Sequence, residues 1–247
     1  MKITQYNLLF IFISLLPFTI IVGPSVSLIT ILLLVIIFLT KLPILDIKKI
    51  YTNKVCISLF VLYLYLIFNT VISIDPYIGI FRNLGFLRFL LFFVLINYFF
   101  YLKSNGENVF ISWSVIISIF IIDIFIERFS GTNILGFGAQ PVHGLDQRVS
   151  MTRVVSFFKD EAVAGAFLNG FIFIIIGYLF TVLKKKNYSM FICIIFFVLS
   201  IVAVLMTGER SNTIKIFIGF MIFLLFLDFL KFKHKLFFLL IVPGILF

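Results

Sequence analysis

From its N-terminus the chain is a succession of apolar stretches separated by short polar breaks. Apolar runs near 6–22, 25–40, 55–74, 86–102, 109–126, 162–183, 189–207 and 213–230 each approach the roughly 20 residues that a helix needs to cross about 30 Å of hydrocarbon. The pattern predicts eight membrane-spanning helices. The segment Leu8 to Leu39 is nearly continuous, broken only by Pro17 and the Gly23-Pro24 pair. As one helix it would be about 48 Å long, so two short spans about a Gly-Pro turn are expected instead. Lys2, the apolar run behind it and the small residues Ser25 and Ser27 imitate a secretory leader. The second apolar run follows at once, which favours a retained first span. A ninth apolar stretch opens at Leu236 and reaches only Phe247, with Pro243-Gly244 inside it. It is too short to span, so 1–247 is read as a single transmembrane helical domain, the N-terminal part of a longer protein.

Composition excludes the other classes. With 63% hydrophobic and 12% charged residues and a mean hydropathy of +1.26, the chain has more apolar surface than a soluble core can hide. Disorder requires low hydrophobicity, and a disulfide framework is excluded because Cys56 and Cys193 both lie inside apolar runs. The expected fold is an all-α polytopic membrane protein with eight spans plus a truncated ninth.

Charge then sets an orientation. If the 41–54 loop is cytoplasmic, alternation puts 12 lysines on the inner side, among them Lys2, Lys48, Lys49, Lys184, Lys185 and Lys186. That obeys the positive-inside rule and makes the N-terminus cytoplasmic. The outer side receives Lys159, Lys215 and all six arginines: Arg82, Arg88, Arg128, Arg148, Arg153 and Arg210. Outer acids such as Asp75, Glu127, Asp160, Glu161 and Glu209 offer each a partner, which is one explanation. The other is an anionic ligand, because a guanidinium binds phosphate through two parallel hydrogen bonds and stays charged. The net charge of +10 is mostly lysine that marks the cytoplasmic face, so it does not indicate a nucleic-acid partner.

Three polar islands fall on the outer side. The longest, 127–161, reads ERFSGTNILGFGAQPVHGLDQRVSMTRVVSFFKDE, and a loop of this length among short connections is a functional candidate. Its one histidine, His143, and scattered carboxylates have no metal-ligand spacing. The second, Thr207-Gly208-Glu209-Arg210-Ser211-Asn212-Thr213, either forms a solvated turn capping the next helix or holds functional charges near hydrocarbon. Asp123, inside the fifth span, belongs to the same class, with Arg128 or another outer arginine as an expected partner. The third runs from Asp75 to Phe89 and carries Arg82 and Arg88, about 600° apart on a continuous helix and so on different faces. Chain order shows no Walker motif, Cys-x-x-Cys or Ser/His/Asp arrangement.

The order of these islands carries a resemblance. Ile122-Asp123 through Asn133-Ile134-Leu135-Gly136, then Arg153-Val-Val-Ser-Phe-Phe-Lys-Asp160-Glu161 with Ala164-Gly165-Ala166 opening a span, then Thr207-Gly208-Glu209-Arg210-Ser211, together resemble the O-antigen polymerase and ligase superfamily of bacterial envelopes. Arg82-Asn-Leu-Gly-Phe-Leu-Arg88-Phe is similar to the family's upstream helix, and the likeness covers about residues 70–220. It implies a metal-independent, cofactor-free glycosyltransferase of the bacterial inner membrane. An oligosaccharide would pass from undecaprenyl pyrophosphate to an acceptor hydroxyl on the periplasmic face, where 127–161 is the large periplasmic loop. The implied catalytic residues are Arg153, Arg210, Glu161, Glu209 and Asp160, and the implied substrate-binding residues Arg82, Arg88, Arg148 and Lys215. The implied partners are the lipid-linked oligosaccharide, the bilayer, and a chain-length regulator or other envelope polysaccharide assembly proteins. The chain departs from the family in having Val155-Ser156 where a Ser-Gly pair is common after the arginine. The family also has further spans and a second large loop beyond the region covered here.

Elementary chemistry is compatible with this. Departure of a diphosphate needs fixed positive charge in a dry site, and the acceptor hydroxyl needs a proton acceptor, for which Glu161 or Glu209 is suited. An alternative is a non-catalytic transporter or flippase of lipid-linked oligosaccharide, which would use the same arginines for binding alone. Such a carrier would favour broken or charged helices at the midplane and repeated halves, and no repeat is evident. A structural membrane subunit would tolerate replacement of the outer arginines.

Overall fold

The computed structural model describes residues 3–40, 53–101, 106–138, 153–159, 161, 163–183 and 189–226. Among these, the regular elements are helices: α1 (Ile3–Ser14), α2 (Leu16–Val22), α3 (Pro24–Leu39), α4 (Lys54–Val71), α5 (Pro76–Gly85), α6 (Leu87–Tyr101), α7 (Gly106–Ser130), a 3-10 turn at Ser156–Phe158, α8 (Ala164–Leu183), α9 (Ser189–Met206) and α10 (Arg210–Phe226). The ninth apolar stretch, most of the inner lysines and the middle of the long loop lie outside the described residues. Three helical segments are long and apolar enough to cross a bilayer: Lys54–Val71, Gly79–Phe100 and Gly106–Ser130. They make this a membrane-associated chain. Pro24–Leu39, Ala164–Leu179 and Ile195–Met206 are shorter apolar helical stretches.

Local chemistry sets the boundaries. Gly23, at φ 150° and ψ 163°, takes a conformation that side chains disfavour, and Pro24 opens α3 where no N–H is needed. The expected break in the first apolar run is therefore present, with a further break at Leu15. Asn53 caps α4 by accepting from Val55 N, and Asp75 caps α5 by accepting from Tyr77 N ahead of Pro76. Within the apolar helices, hydroxyls bond back to carbonyls three or four residues earlier: Thr19 to Leu16, Thr30 to Val26, Ser118 to Ser114 and Ser200 to Phe196. Each hydroxyl is thus satisfied without a partner from outside its helix, which lipid could not provide.

The chain forms two compact units, Met1–Ser112 and Trp113–Phe247. In the first, α3 packs on α6 and α4 on α5, around Ile13, Leu34 and Leu95, which are fully buried. Asn83 of α5 donates to Thr70 Oγ1 of α4, a polar tie between apolar helices. In the second, α8, α9 and α10 pack on one another. The Phe120 ring of α7 lies 4.7 Å from Phe167 of α8 and 5.7 Å from Phe158 of the 3-10 turn, centroid to centroid. These rings continue through Phe171 to Trp113 at 5.2 and 5.3 Å. Many large apolar side chains are exposed instead, including Phe18, Phe60, Phe68, Ile174 and Ile218. In water that would be an aggregation surface, whereas in a bilayer it faces its own solvent.

Candidate functional site

The polar islands of the second unit meet at one end of it. α7 does not stop at the first charge of the long loop, because Glu127 lies within the helix and α7 runs on to Ser130. Asp123 and Glu127 are one helical turn apart, so they share a face, and both are buried, at 0% and 5% exposure. What makes that burial tolerable is a complete set of donors from the segments that follow. Asp123 accepts from Ile134 N at 3.0 Å and from Ser156 Oγ at 2.6 Å. Glu127 accepts from Val155 N at 2.9 Å and Ser156 N at 2.5 Å. Sequence alone points to arginine as the partner of Asp123; the donors described here are a backbone amide and a hydroxyl.

The backbone that serves Glu127 has an unusual form. Val155 is in the right-handed helical region and Ser156 in the left-handed one, at φ 52°. Successive right- and left-handed residues aim their N–H groups into one concavity, an anion-binding nest. The Glu127 carboxylate fills it. A left-handed serine costs roughly 1–2 kcal/mol, so Ser156 adopts, at some cost, a conformation glycine takes freely. Asn133 completes the frame: its Oδ1 accepts from Leu135 N and Phe137 N at 2.9 and 2.7 Å, an Asx-type turn, while its Nδ2 donates to Ser156 O at 2.8 Å. Gly138 must be glycine here, because a Cβ would stand 2.5 Å from Glu127 Oε1.

The remaining island is tied in by Val154 N, which donates to Thr207 O at 3.3 Å. Glu209, 6% exposed, serves two helices at once. Its carboxylate accepts from Gly165 N at 2.7 Å, in the first turn of α8, and from Asn212 Nδ2. Its carbonyl accepts from Asn212 N and Thr213 N, which starts α10. A carboxylate at the positive end of α8 is favourable on electrostatic grounds too. A Cβ on Gly165 would lie 2.9 Å from Thr207 Oγ1 and 3.1 Å from Glu209 Oε1, so the contact depends on glycine.

The positive groups stand at the margin of this frame. Arg153 is half-buried, whereas Lys159, Glu161, Arg210 and Lys215 are exposed. Lys215 Nζ donates to Asn212 Oδ1 at 3.4 Å, and Lys159 Nζ lies 5.9 Å from the Phe137 ring centroid. Asp160 and Arg148 lie outside the described residues. Arg82 and Arg88 belong to the first unit and to its apolar segment Gly79–Phe100. Arg82 is exposed. Arg88 is half-buried, its Nε has no hydrogen-bond partner among the described residues, and its guanidinium carbon sits 4.9 Å from the Phe89 ring centroid.

Beside this end of α7 an open apolar groove of about 560 Å³ runs along Ile122, Phe125, Ile126, Phe129 and Leu199. Among the described residues no three His, Cys, Asp or Glu side chains are gathered as a metal site. The arrangement is thus a frame of buried acids, each oxygen occupied by a donor, with cations left at its edge. The network of Asn133, Ser156 and Gly165 is not legible from sequence; its one signal is the four-residue spacing of two acids at the end of an apolar run. Comparison with models of protein families, with curated proteins and with solved structures finds no match to this chain.

Proposed function

We propose that the chain is an inner-membrane glycan polymerase or ligase, with eight spans, a cytoplasmic N-terminus and a periplasmic active face. It transfers an oligosaccharide from undecaprenyl pyrophosphate to an acceptor hydroxyl. The observation that carries this reading is the meeting of the segments 123–138, 153–165 and 207–213 at one end of the second unit. Arg153 and Arg210 remain at the margin while the buried carboxylates are engaged. In this reading the two arginines bind the diphosphate and stabilise the charge that develops as it leaves. Glu161, exposed and close in sequence to the clamped turn, takes the acceptor proton, and Glu209 shapes the site by capping α8. The apolar groove beside α7 offers hydrocarbon a seat next to the polar frame. Arg88, inside an apolar segment and with no partner for its Nε among the described residues, is suited to an anion, and Arg82, Arg148 and Lys215 are further candidates for substrate binding.

The test is genetic and biochemical. Arg153→Ala and Arg210→Ala, each replacing the native copy in the host, abolish polymerised or ligated surface glycan while the protein stays in the membrane. Arg→Lys at either position retains charge but loses the bidentate fork, so activity falls there too. Normal glycan chain lengths in both alanine variants would sink the assignment. Accumulation of unpolymerised lipid-linked oligosaccharide on the periplasmic leaflet distinguishes a transferase defect from a flippase defect, in which it stays on the cytoplasmic leaflet.

A further inference from the structure

Asp123 and Glu127 are the most deeply buried charges among the described residues, yet they stand outside the chemistry proposed above. Both accept from one residue pair, Val155-Ser156, which opens two residues beyond Arg153 and leads to Lys159. The stretch 155–159 is strained twice, with Ser156 at φ 52° and Lys159 at φ 58°. Four contacts hold it: Glu127 to the Val155 and Ser156 amides, Asp123 to the Ser156 hydroxyl, and Asn133 Nδ2 to the Ser156 carbonyl. Strained non-glycine conformations persist only where their surroundings over-determine them, and they cluster where geometry matters to function. Neither acid caps an α-helix, and the donors in these four contacts are uncharged. Their common effect is the course of the chain from Arg153 to Lys159.

We propose that Asp123 and Glu127 are positioning residues, which by clamping the Val155-Ser156 backbone in its left-handed form aim Arg153 and Lys159 at an anionic substrate. This rests on the transfer reading above for its activity, though the clamp itself does not. Arg153, half-buried, lies two residues ahead of the held pair, while Lys159, exposed at the second strained position, becomes an additional cation of the same site. The two acids lie on a long helix and the segment they hold is only a single 3-10 turn, so α7 serves as the fixed reference for it.

The experiment uses the intact protein in nanodiscs and in its host. Glu127→Gln replaces one acceptor oxygen by an NH2 group that faces an amide N–H, and hydrogen–deuterium exchange over 153–159 is expected to accelerate at least tenfold. Surface glycan transfer is expected to fall at least tenfold with membrane level unchanged. Asp123→Asn, which leaves the Val155 and Ser156 amides bonded to Glu127, is the milder second variant if Glu127→Gln accumulates poorly. Adding Ser156→Gly to Glu127→Gln is the discriminating arm. Glycine reaches φ 52° without the Cβ cost but gives up the hydroxyl bonded to Asp123, so recovery is partial: transfer rises at least threefold and exchange over 153–159 slows in parallel. Unchanged exchange in both acid variants, or no recovery with Ser156→Gly, overturns the positioning proposal even where Arg153→Ala abolishes transfer. If Arg153→Ala is silent while exchange accelerates in Glu127→Gln, the clamp stands and the transfer reading is what fails.

Discussion

Glu209→Ala tests whether this acid is a structural cap or a chemical group. Its carboxylate is the acceptor for Gly165 N at 2.7 Å and for Asn212 Nδ2, and Gly165 N is one of the first four amides of α8, which have no partner inside their helix. Removing the acceptor leaves that amide buried and unpaired, which costs about 1–3 kcal/mol. Loss of negative charge at the helix N-terminus adds about 0.3–1 kcal/mol. Asn212 still has Lys215 as a partner on its other side, so its contribution is smaller. Against these, the variant no longer buries a carboxylate, which offsets part of the loss. The net expectation is a destabilisation of about 2–3 kcal/mol. At roughly 2–4 °C per kcal/mol for a chain of this size, that lowers the apparent Tm by about 4–12 °C. The assay is thermal scanning of detergent-solubilised protein by fluorescence-detected size exclusion. Glu209→Gln keeps one oxygen for Gly165 but turns an NH2 group toward Asn212 Nδ2, so about half of the loss is expected. A Glu209→Ala protein as stable as the native one would refute the capping argument. If it also lost glycan transfer, Glu209 would have to act in the chemistry rather than in the frame.

Two further substitutions probe the packing and the turn. Gly219 of α10 faces Phe173 of α8 so closely that a Cβ would stand 2.5 Å from the ring; Gly219→Ala therefore overpacks the contact by about 1–3 kcal/mol. The Tm falls accordingly, and Phe173→Leu in the same chain restores much of it, whereas a neutral Gly219→Ala would show that the two helices are not in that close approach. Asn133→Ala removes three hydrogen bonds, to Leu135 N, Phe137 N and Ser156 O, and limited proteolysis in the 131–138 turn is expected to rise several-fold. Asn133→Asp keeps the two amide contacts but loses the donor to Ser156 O, so it falls between; equal resistance of all three proteins would contradict the role of Asn133 as hub.

Much of the fold is legible in the chain because hydrocarbon imposes a simple rule on it. Every backbone group in lipid must be satisfied within its own segment, so apolar length alone marks a helix, and Gly23-Pro24 marks a break where an amide is missing and an unusual φ is needed. Caps such as Asn53 and Asp75 follow from short-range chemistry in the same way. Partners across the chain do not. Charge complementarity along the sequence offers Asp123 an arginine, but gives no sign of the Ile134 amide and the Ser156 hydroxyl, 11 and 33 residues away, that donate to it. Equally, Glu209 reads as part of a charged turn until Gly165, 44 residues earlier, is brought against it.

Composition and order along the chain thus determined the solvent, the helices and the islands that hold charge. Tertiary structure decided which of those charges are consumed in holding the frame and which remain at its edge. The division has a physical cause. Burial of apolar residues is a sum over local surface and can be read position by position, whereas a buried carboxylate is tolerated only where donors converge on it in three dimensions, and the amides that do so here belong to any residue and carry no mark in the sequence.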